Sequence, residues 1–158
     1  DCEIAHFYRE LYEKHCDIEG IPQVAVIRNP VDRFISASTY FRTLYGQKVQ
    51  QRMEDYEEFI SIIENFHNDL DVETRNWWRP QIDYLTDETH VWKFEDGLGD
   101  DFGKWMSEKL EVPFEIDSSA RYMGNKHEDL KLDKTDKLVE NIRKFCSEDI
   151  EQLYPELK

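Results

Sequence analysis

Two side chains that can hold a phosphate group lie close together in the segment Arg28-Asn-Pro-Val-Asp-Arg-Phe-Ile-Ser36. The guanidinium of Arg28 presents a planar fork of N–H donors that fits two phosphate oxygens, and the hydroxyl of Ser36 can donate one further hydrogen bond. The residues between them are typical of a helix start, where unpaired N–H groups and the helix dipole favour anions. These residue types in this order predict an anion site with phosphate as its ligand.

A buried strand is expected to lead into this segment. Gln23-Val-Ala-Val-Ile27 is a short, continuous β-branched run, which is typical of a strand buried on both faces at the centre of a parallel sheet. It ends directly before Arg28. Ligands of open α/β sheets bind in the crevice beyond the carboxyl ends of the strands. The strand therefore predicts where the anion site lies.

A helix is expected to follow the strand. Asn29 is a good N-cap, Pro30 suits the first helical position, and Asp32 adds a carboxylate to the first turn. We expect this helix to run from Pro30 to about Tyr45. Ser36 would then lie about 10 Å along it at 1.5 Å per residue. Its apolar stripe is predicted to contain Val31, Phe34, Ile35, Ser38, Phe41 and Tyr45. A second stripe contains Asn29, Arg33, Ser36 and Tyr40.

Helices and strands alternate along the rest of the chain, which predicts the α/β class. Apolar spacing predicts helices over 3–15, 56–66, from about 100 to 110, and from 133 or 135 to about 153, and a strand over 90–95. The sequence shows no internal repeat and no linker, so residues 1–158 are predicted to form a single domain.

Composition narrows the classes of function. The 158 residues carry a formal charge of −15, which argues against a broad nucleic-acid or anionic-membrane surface. No apolar run approaches the roughly 20 residues of a membrane span. Three widely spaced cysteines predict reduced thiols in a cytoplasmic protein and make a metal site improbable. Because the first residue is Asp1 instead of Met, we expect the sequence to be incomplete at its amino terminus.

The pattern Arg-x-Pro-x-x-Arg-x-x-Ser after a Val/Ile strand resembles the 3′-phosphosulfate-binding motif of sulfotransferases, especially the heparan sulfate 2-O-sulfotransferase branch and its short bacterial and phage members. Three further segments resemble the same family: 79–85, 93–95 and 149–153. The resemblance implies a P-loop-NTPase-like sulfotransferase fold, with a parallel sheet flanked by helices. It also implies the nucleotide donor PAPS, its product PAP, and binding of the 3′-phosphate by Arg28 and Ser36. The acceptor would be a small molecule or a carbohydrate.

The resemblance also implies further site residues. The 2-O-sulfotransferase branch places a catalytic base upstream of the motif arginine, and counting back without gaps reaches His6; a histidine is apt because it can take a proton at neutral pH. His15 is a weaker candidate. The segment Arg121-Tyr-Met-Gly-Asn-Lys126 falls where these enzymes close a loop over the nucleotide. Arg121, Asn125 and Lys126 are therefore candidate phosphate contacts, and the alternative is a solvated basic loop.

One family motif has no counterpart in the sequence. Sulfotransferases hold the 5′-phosphosulfate in a loop that contains glycine, threonine and lysine; neither Gly20-Ile-Pro22 nor Asp96-Gly-Leu-Gly99 has that pattern. Without its lysine the bridging oxygen loses charge stabilisation. Two alternatives to an active sulfotransferase therefore stay open. One is a PAP-binding or interaction module without catalysis, and the other is a nucleotide kinase-like phosphotransferase.

Several residues also have structural interpretations. Arg28 can belong to a simple strand-to-helix junction, and for Arg33 a helix-face ion pair is the better interpretation. Core packing is favoured over base stacking for Trp77 and Trp78. Glu95 is expected to orient its neighbours, and the acidic runs at 54–58 and 148–151 are expected to be solvated helix faces.

Overall fold

Helices and two short strands alternate along the described part of the chain. A computed structural model describes residues 8–45, 49–69, 78–117 and 132–158, with side chains except at 39–45, 49 and 65–69. The strands are β1 (Val24–Ile27) and β2 (His90–Lys93). The α-helices are α1 (Arg9–His15), α2 (Pro30–Tyr45), α3 (Val49–Met53), α4 (Tyr56–Asp69), α5 (Asp100–Leu110), α6 (Asp136–Phe145) and α7 (Ser147–Leu153). Short 3₁₀ turns span Gln81–Tyr84, Phe94–Asp96 and Pro155–Leu157. The fold is a mixed α/β fold with a small parallel sheet.

The sheet is built from β1 and β2, with Val24 paired to His90 and Ile27 to Lys93. Parallel strands need a crossover connection, and α2, α3 and α4 lie between the two strands in sequence. The prediction that β1 is buried on both faces is wrong, because Val26 is 44% exposed. Within the described residues β1 has one strand neighbour, and α5 packs beside it without covering Val26.

The larger hydrophobic core joins residues of α2, α3, α4 and α6. At its centre the ring of Phe34 stacks on Phe59 at 5.2 Å and on Trp78 at 5.7 Å between ring centroids. The edge of Phe145 approaches the same ring at 6.3 Å. Such offset and edge-on aromatic pairs add to the free energy gained by burial. The predicted stripe of α2 is confirmed where its side chains are described, at Val31, Phe34, Ile35 and Ser38.

A smaller core fixes the sheet to the end of the chain. Ile27 of β1 is 3% exposed and packs with Leu85 and Tyr154. Ala25 and Ile82 cover the edge of this cluster. Because Ile27 is the last residue of β1, this packing holds the strand at the point where Arg28 follows.

The predicted last helix is broken into α6 and α7 at Cys146, so the prediction of one continuous helix is wrong. Cys146 has φ −96° and ψ 31°, outside the helical range, and α7 restarts at Ser147. Ser147 and the two acidic residues after it are typical of a first helical turn. The core spacing continues across the break, which conceals it in the sequence.

The other helices match the sequence in part. The described half of the predicted helix 3–15 is α1, and residues 3–7 lie outside the described residues. Helix α3 was not predicted, although its Met53 is fully buried. Phe102 and Trp105 of α5 are half-buried against Trp92 of β2, with ring centroids 5.6 Å and 5.4 Å away. In the described ranges no helix combines the length and apolar character needed to cross a bilayer.

Candidate anion-binding site

The carboxyl ends of the two strands meet at one edge of the sheet, and the candidate site lies at that edge. Arg28 follows β1 and Phe94 follows β2, one step beyond the paired residues Ile27 and Lys93. The guanidinium carbon of Arg28 lies 5.0 Å from the centroid of the Phe94 ring, a cation–π distance. Phe94 is 43% exposed. The guanidinium of Arg28 thus packs on a partly exposed aromatic ring at the carboxyl edge of the sheet.

Arg28, like Arg33 and Arg143, has no ion pair among the described residues of this acidic chain. The sequence holds 35 Asp and Glu residues against 20 Lys and Arg. Arg9, Arg52 and Arg79 each form an ion pair with a carboxylate. Across the described ranges no carboxylate lies within ion-pair distance of the half-buried Arg28. No carboxylate of the described residues therefore competes with an anion for the Arg28 guanidinium.

The amino-terminal N–H groups of α2 are already bonded. The side-chain oxygen of Asn29 accepts hydrogen bonds from the N–H groups of Val31 at 3.0 Å and Asp32 at 3.3 Å. Pro30 has no N–H, and the N–H of Arg33 donates to the Asn29 carbonyl at 2.9 Å. The prediction that unpaired N–H groups at this helix end bind phosphate is therefore wrong, because the N-cap fills them. Recognition of an anion here falls to side chains.

Two further main-chain N–H groups at the edge of the sheet are also occupied. The N–H of Arg28 donates to Oε1 of Gln81 at 2.8 Å, and the N–H of Asn29 donates to Oε1 of Glu95 at 2.6 Å. The other carboxylate oxygen of Glu95 accepts from the hydroxyl of Tyr154 at 3.0 Å. The prediction that Glu95 orients its neighbours is confirmed. Its carboxylate joins the end of β2 to the start of α2 and to the carboxyl-terminal segment.

A charged network surrounds this junction. The ammonium group of Lys93 pairs with Glu156 at 2.7 Å and lies 4.5 Å from the centroid of the Tyr154 ring. Burial, together with the hydrogen bond to Glu95 and its charge, raises the pKa of the Tyr154 phenol. The phenol therefore stays protonated at neutral pH and keeps donating to Glu95. These contacts join the end of β2 to the carboxyl-terminal segment.

Ser36 lies on the polar stripe of α2 and is half-buried. Among the described residues its hydroxyl has no hydrogen-bond partner, so it can serve a ligand beside the first turns of the helix. Arg33, on the same stripe, donates to the carbonyl oxygen of Arg79 at 2.8 Å. Its structural role is confirmed, although the partner is a carbonyl and not the carboxylate expected. The roles of Arg28 and Ser36 as phosphate contacts stay predictions.

The remaining predicted site residues are not brought to this edge by the described structure. The candidate base His6 and the candidate phosphate contacts Arg121, Asn125 and Lys126 lie outside the described residues. His15 is exposed at the end of α1. Trp78 is 3% exposed, which confirms its core assignment, while Trp77 lies outside the described residues.

Two residues of the site were not identified as such from the sequence. Gln81 is 6% exposed and bonds the main chain of Arg28, and Asp149 is fully buried and bonds Gln81. The prediction that the acidic run 148–151 is a solvated face is therefore wrong at Asp149. No local signal in the sequence indicates this, because the N–H groups that Asp149 accepts from belong to Gln81 and Ile82, 68 and 67 positions away.

Neither a metal site in the described residues nor a known relative supplies further evidence on the function of this site. The described part of the chain contains no group of three or more His, Cys, Asp or Glu side chains arranged to hold a metal ion. Comparisons with protein-family models, with curated proteins and with solved structures found no match to the chain. A functional assignment therefore rests on the geometry at the sheet edge and on the motif from Arg28 to Ser36.

Proposed function

We propose that this chain binds the 3′-phosphate of PAP and PAPS and belongs to a PAPS-dependent sulfotransferase with a P-loop-NTPase-like fold. The observation that carries the proposal is the guanidinium of Arg28. It lies at the carboxyl edge of a parallel sheet, half-buried and without a carboxylate partner among the described residues of a chain with charge −15. Such a group at such an edge is typical of anion recognition.

Ser36 supports the same ligand. Ser36 belongs to α2, which begins two residues after Arg28 and whose first N–H groups are filled by Asn29. A terminal phosphate offers several acceptor oxygens, so it can engage an arginine fork and a hydroxyl together. The 3′-phosphate is the group that distinguishes PAPS from ATP. A site made of these two side chains would therefore select this nucleotide by its 3′ end.

Sulfuryl transfer is the proposed reaction. The acceptor hydroxyl or amine attacks the sulfur, the bond from sulfur to the phosphate oxygen breaks, and PAP leaves with that oxygen. His6 is the proposed base that takes the acceptor proton. The sequence contains no match to the loop that binds the 5′-phosphosulfate, so 3′-phosphate recognition by this chain is the part of the proposal that can be tested directly.

Isothermal titration with PAP and with adenosine 5′-phosphate tests the site. Wild-type protein is expected to bind PAP more tightly, because adenosine 5′-phosphate lacks the 3′-phosphate. Arg28→Ala should weaken PAP binding by about 10- to 100-fold, as expected for loss of charged hydrogen bonds, and should reduce the preference for PAP by the same factor, while Ser36 retains part of it. Arg52→Ala is the matched control, because Arg52 is an exposed arginine paired with Glu58 on another part of the surface.

Three results would count against the proposal. Equal PAP affinity of wild type and Arg28→Ala would show that Arg28 is not part of the binding site. Equal affinity of wild type for the two nucleotides would show that the 3′-phosphate is not the recognised group. Tighter binding of ATP with Mg²⁺ than of PAP would favour a nucleotide kinase-like protein instead.

A further inference from the structure

The side chain of Gln81 takes the place of a neighbouring strand beside Arg28. Its Oε1 accepts from the main-chain N–H of Arg28 at 2.8 Å, and its Nε2 donates to the carbonyl of Arg28 at 2.8 Å. Arg28 follows the last paired residue of β1, so it has no partner in β2. One carboxamide thus satisfies both polar groups of a main chain that would otherwise lie unpaired at the strand end.

Asp149 fixes the carboxamide of Gln81 in that orientation. Its carboxylate is fully buried and accepts from the main-chain N–H groups of Gln81 at 2.8 Å and Ile82 at 2.9 Å. It also accepts from Nε2 of Gln81 at 3.3 Å. Because a carboxylate only accepts, it selects the NH₂ end of the carboxamide and leaves Oε1 to face the N–H of Arg28. Three segments distant in sequence are joined by these bonds.

We propose that Asp149 and Gln81 are positioning residues for the anion site, and that they set its affinity by holding the main chain of Arg28. This inference rests on the proposed function. An arginine side chain loses considerable rotamer entropy when it binds a ligand. A main chain that is already held in place keeps the entropic cost of binding from rising further. These hydrogen bonds connect Asp149 of α7, through Gln81, to the main chain of the residue whose guanidinium would bind the anion.

The test is PAP titration of Gln81→Met, Asp149→Asn and the double variant. Methionine keeps the length of the side chain and removes both bonds to Arg28, while asparagine replaces one acceptor oxygen of Asp149 with a donor. Each single variant is expected to bind PAP about tenfold more weakly, the net effect of one or two hydrogen bonds. If Asp149 acts through Gln81, the double variant should bind no more weakly than Gln81→Met alone.

A spectroscopic measurement separates positioning from general destabilisation. The Arg28 amide signal in a ¹H–¹⁵N spectrum should shift, and its hydrogen exchange should accelerate, in both single variants. The amide of Phe59, which donates to the carbonyl of Asp55 at 2.8 Å in the larger core, should keep its protection. Ile142→Val is the matched control, since it destabilises that core without contact to Gln81, and it should leave PAP affinity and the Arg28 amide unchanged.

The outcomes distinguish the two proposals. If wild-type protein does not bind PAP, the proposed function fails, and the affinity claim for Asp149 and Gln81 fails with it. If wild type binds PAP and Arg28→Ala weakens it, but Gln81→Met binds as wild type does, only the positioning role is overturned. Should Gln81→Met not fold, Asp149→Asn carries the same test, and an unprotected Arg28 amide in the wild-type protein would by itself overturn the role.

Discussion

The indole N–H of Trp78 donates a hydrogen bond to the hydroxyl oxygen of Ser38 at 3.0 Å inside the larger core. Ser38 is 4% exposed and Trp78 is 3% exposed, so this bond is closed to solvent. Ser36, two residues earlier on α2, lies on the other stripe and is half-buried. The same residue type thus serves the core at one position and is available to a ligand at the other.

Replacing each serine by alanine should separate these roles. Ser36→Ala is expected to weaken PAP binding about tenfold or more, since a hydrogen bond to a charged phosphate is lost, with little change in stability. Ser38→Ala should remove a buried hydrogen bond and lower the free energy of unfolding by about 1–3 kcal/mol, without changing PAP affinity. Titration calorimetry and urea unfolding measure the two effects. A loss of PAP affinity in Ser38→Ala equal to that in Ser36→Ala would contradict the assignment.

Substitutions of Asn29 can change the charge beside Arg28 and still keep the N-cap of α2. Aspartate caps helices about as well as asparagine, so Asn29→Asp should keep or slightly raise the free energy of unfolding. Its carboxylate next to Arg28 should compete with the phosphate for the guanidinium and weaken PAP binding about tenfold. Asn29→Ser keeps a neutral cap and is the control, with PAP affinity near wild type. PAP binding by Asn29→Asp as tight as wild type would place the anion away from this helix end.

Local signals were sufficient to predict the strand, the cap and the helix around Arg28. The β-branched run before it, the capping oxygen of Asn29 and the fixed φ of Pro30 all act within a few residues, and the observed α2 begins and ends where these signals predict. The apolar stripe of α2 was predicted for the same reason. Its spacing alone determines which side of the helix faces a core.

The rest depends on contacts between distant segments. Gln81 bonds Arg28, which lies 53 positions away in the sequence, and Asp149, which lies 68 positions away. No local pattern specifies these partners. Asp149 was expected to be solvated because aspartate is rarely buried unless its oxygens find donors. Those donors are the N–H groups at the start of a 3₁₀ turn that the sequence did not predict. The exposure of Val26 likewise depends on which elements pack beside β1.

Phe34 tests the aromatic core that supports α2. Phe34→Leu removes two stacked ring pairs and one edge-on pair, so the free energy of unfolding should fall by about 1–3 kcal/mol. Phe114→Leu, at a side chain that is 38% exposed and meets one ring edge-on, should cost less than about 1 kcal/mol. Urea unfolding at pH 7 measures both. Equal losses in the two variants would show that the packing around Phe34 is not the centre of the core.

Cys146 gives the fold a dependence on alkaline pH. Burial, and secondly the Asp149 carboxylate, raises the pKa of the Cys146 thiol from 9.0 to about 12. In the unfolded chain this thiol has its ordinary pKa, so between pH 9 and 12 the unfolded state has lost a proton that the folded state retains. The free energy of unfolding therefore falls as the pH rises through this window, by up to about 1.4 kcal/mol per pH unit.

Removing the thiol should remove this part of the pH dependence. Between pH 8 and pH 10 the free energy of unfolding of wild type should fall by about 1.4 kcal/mol more than that of Cys146→Ala. Changes with pH are compared, because the alanine variant is also weakened at every pH by the cavity it creates. Tyr84, whose pKa burial raises to about 12, contributes equally to both proteins and cancels. Cys16→Ala removes the other described thiol and should keep the wild-type dependence. Urea unfolding at a series of pH values measures these changes. If the free energy of unfolding falls equally with pH in wild type and Cys146→Ala, the Cys146 thiol ionises in the folded protein as readily as in the unfolded chain, and the prediction is wrong.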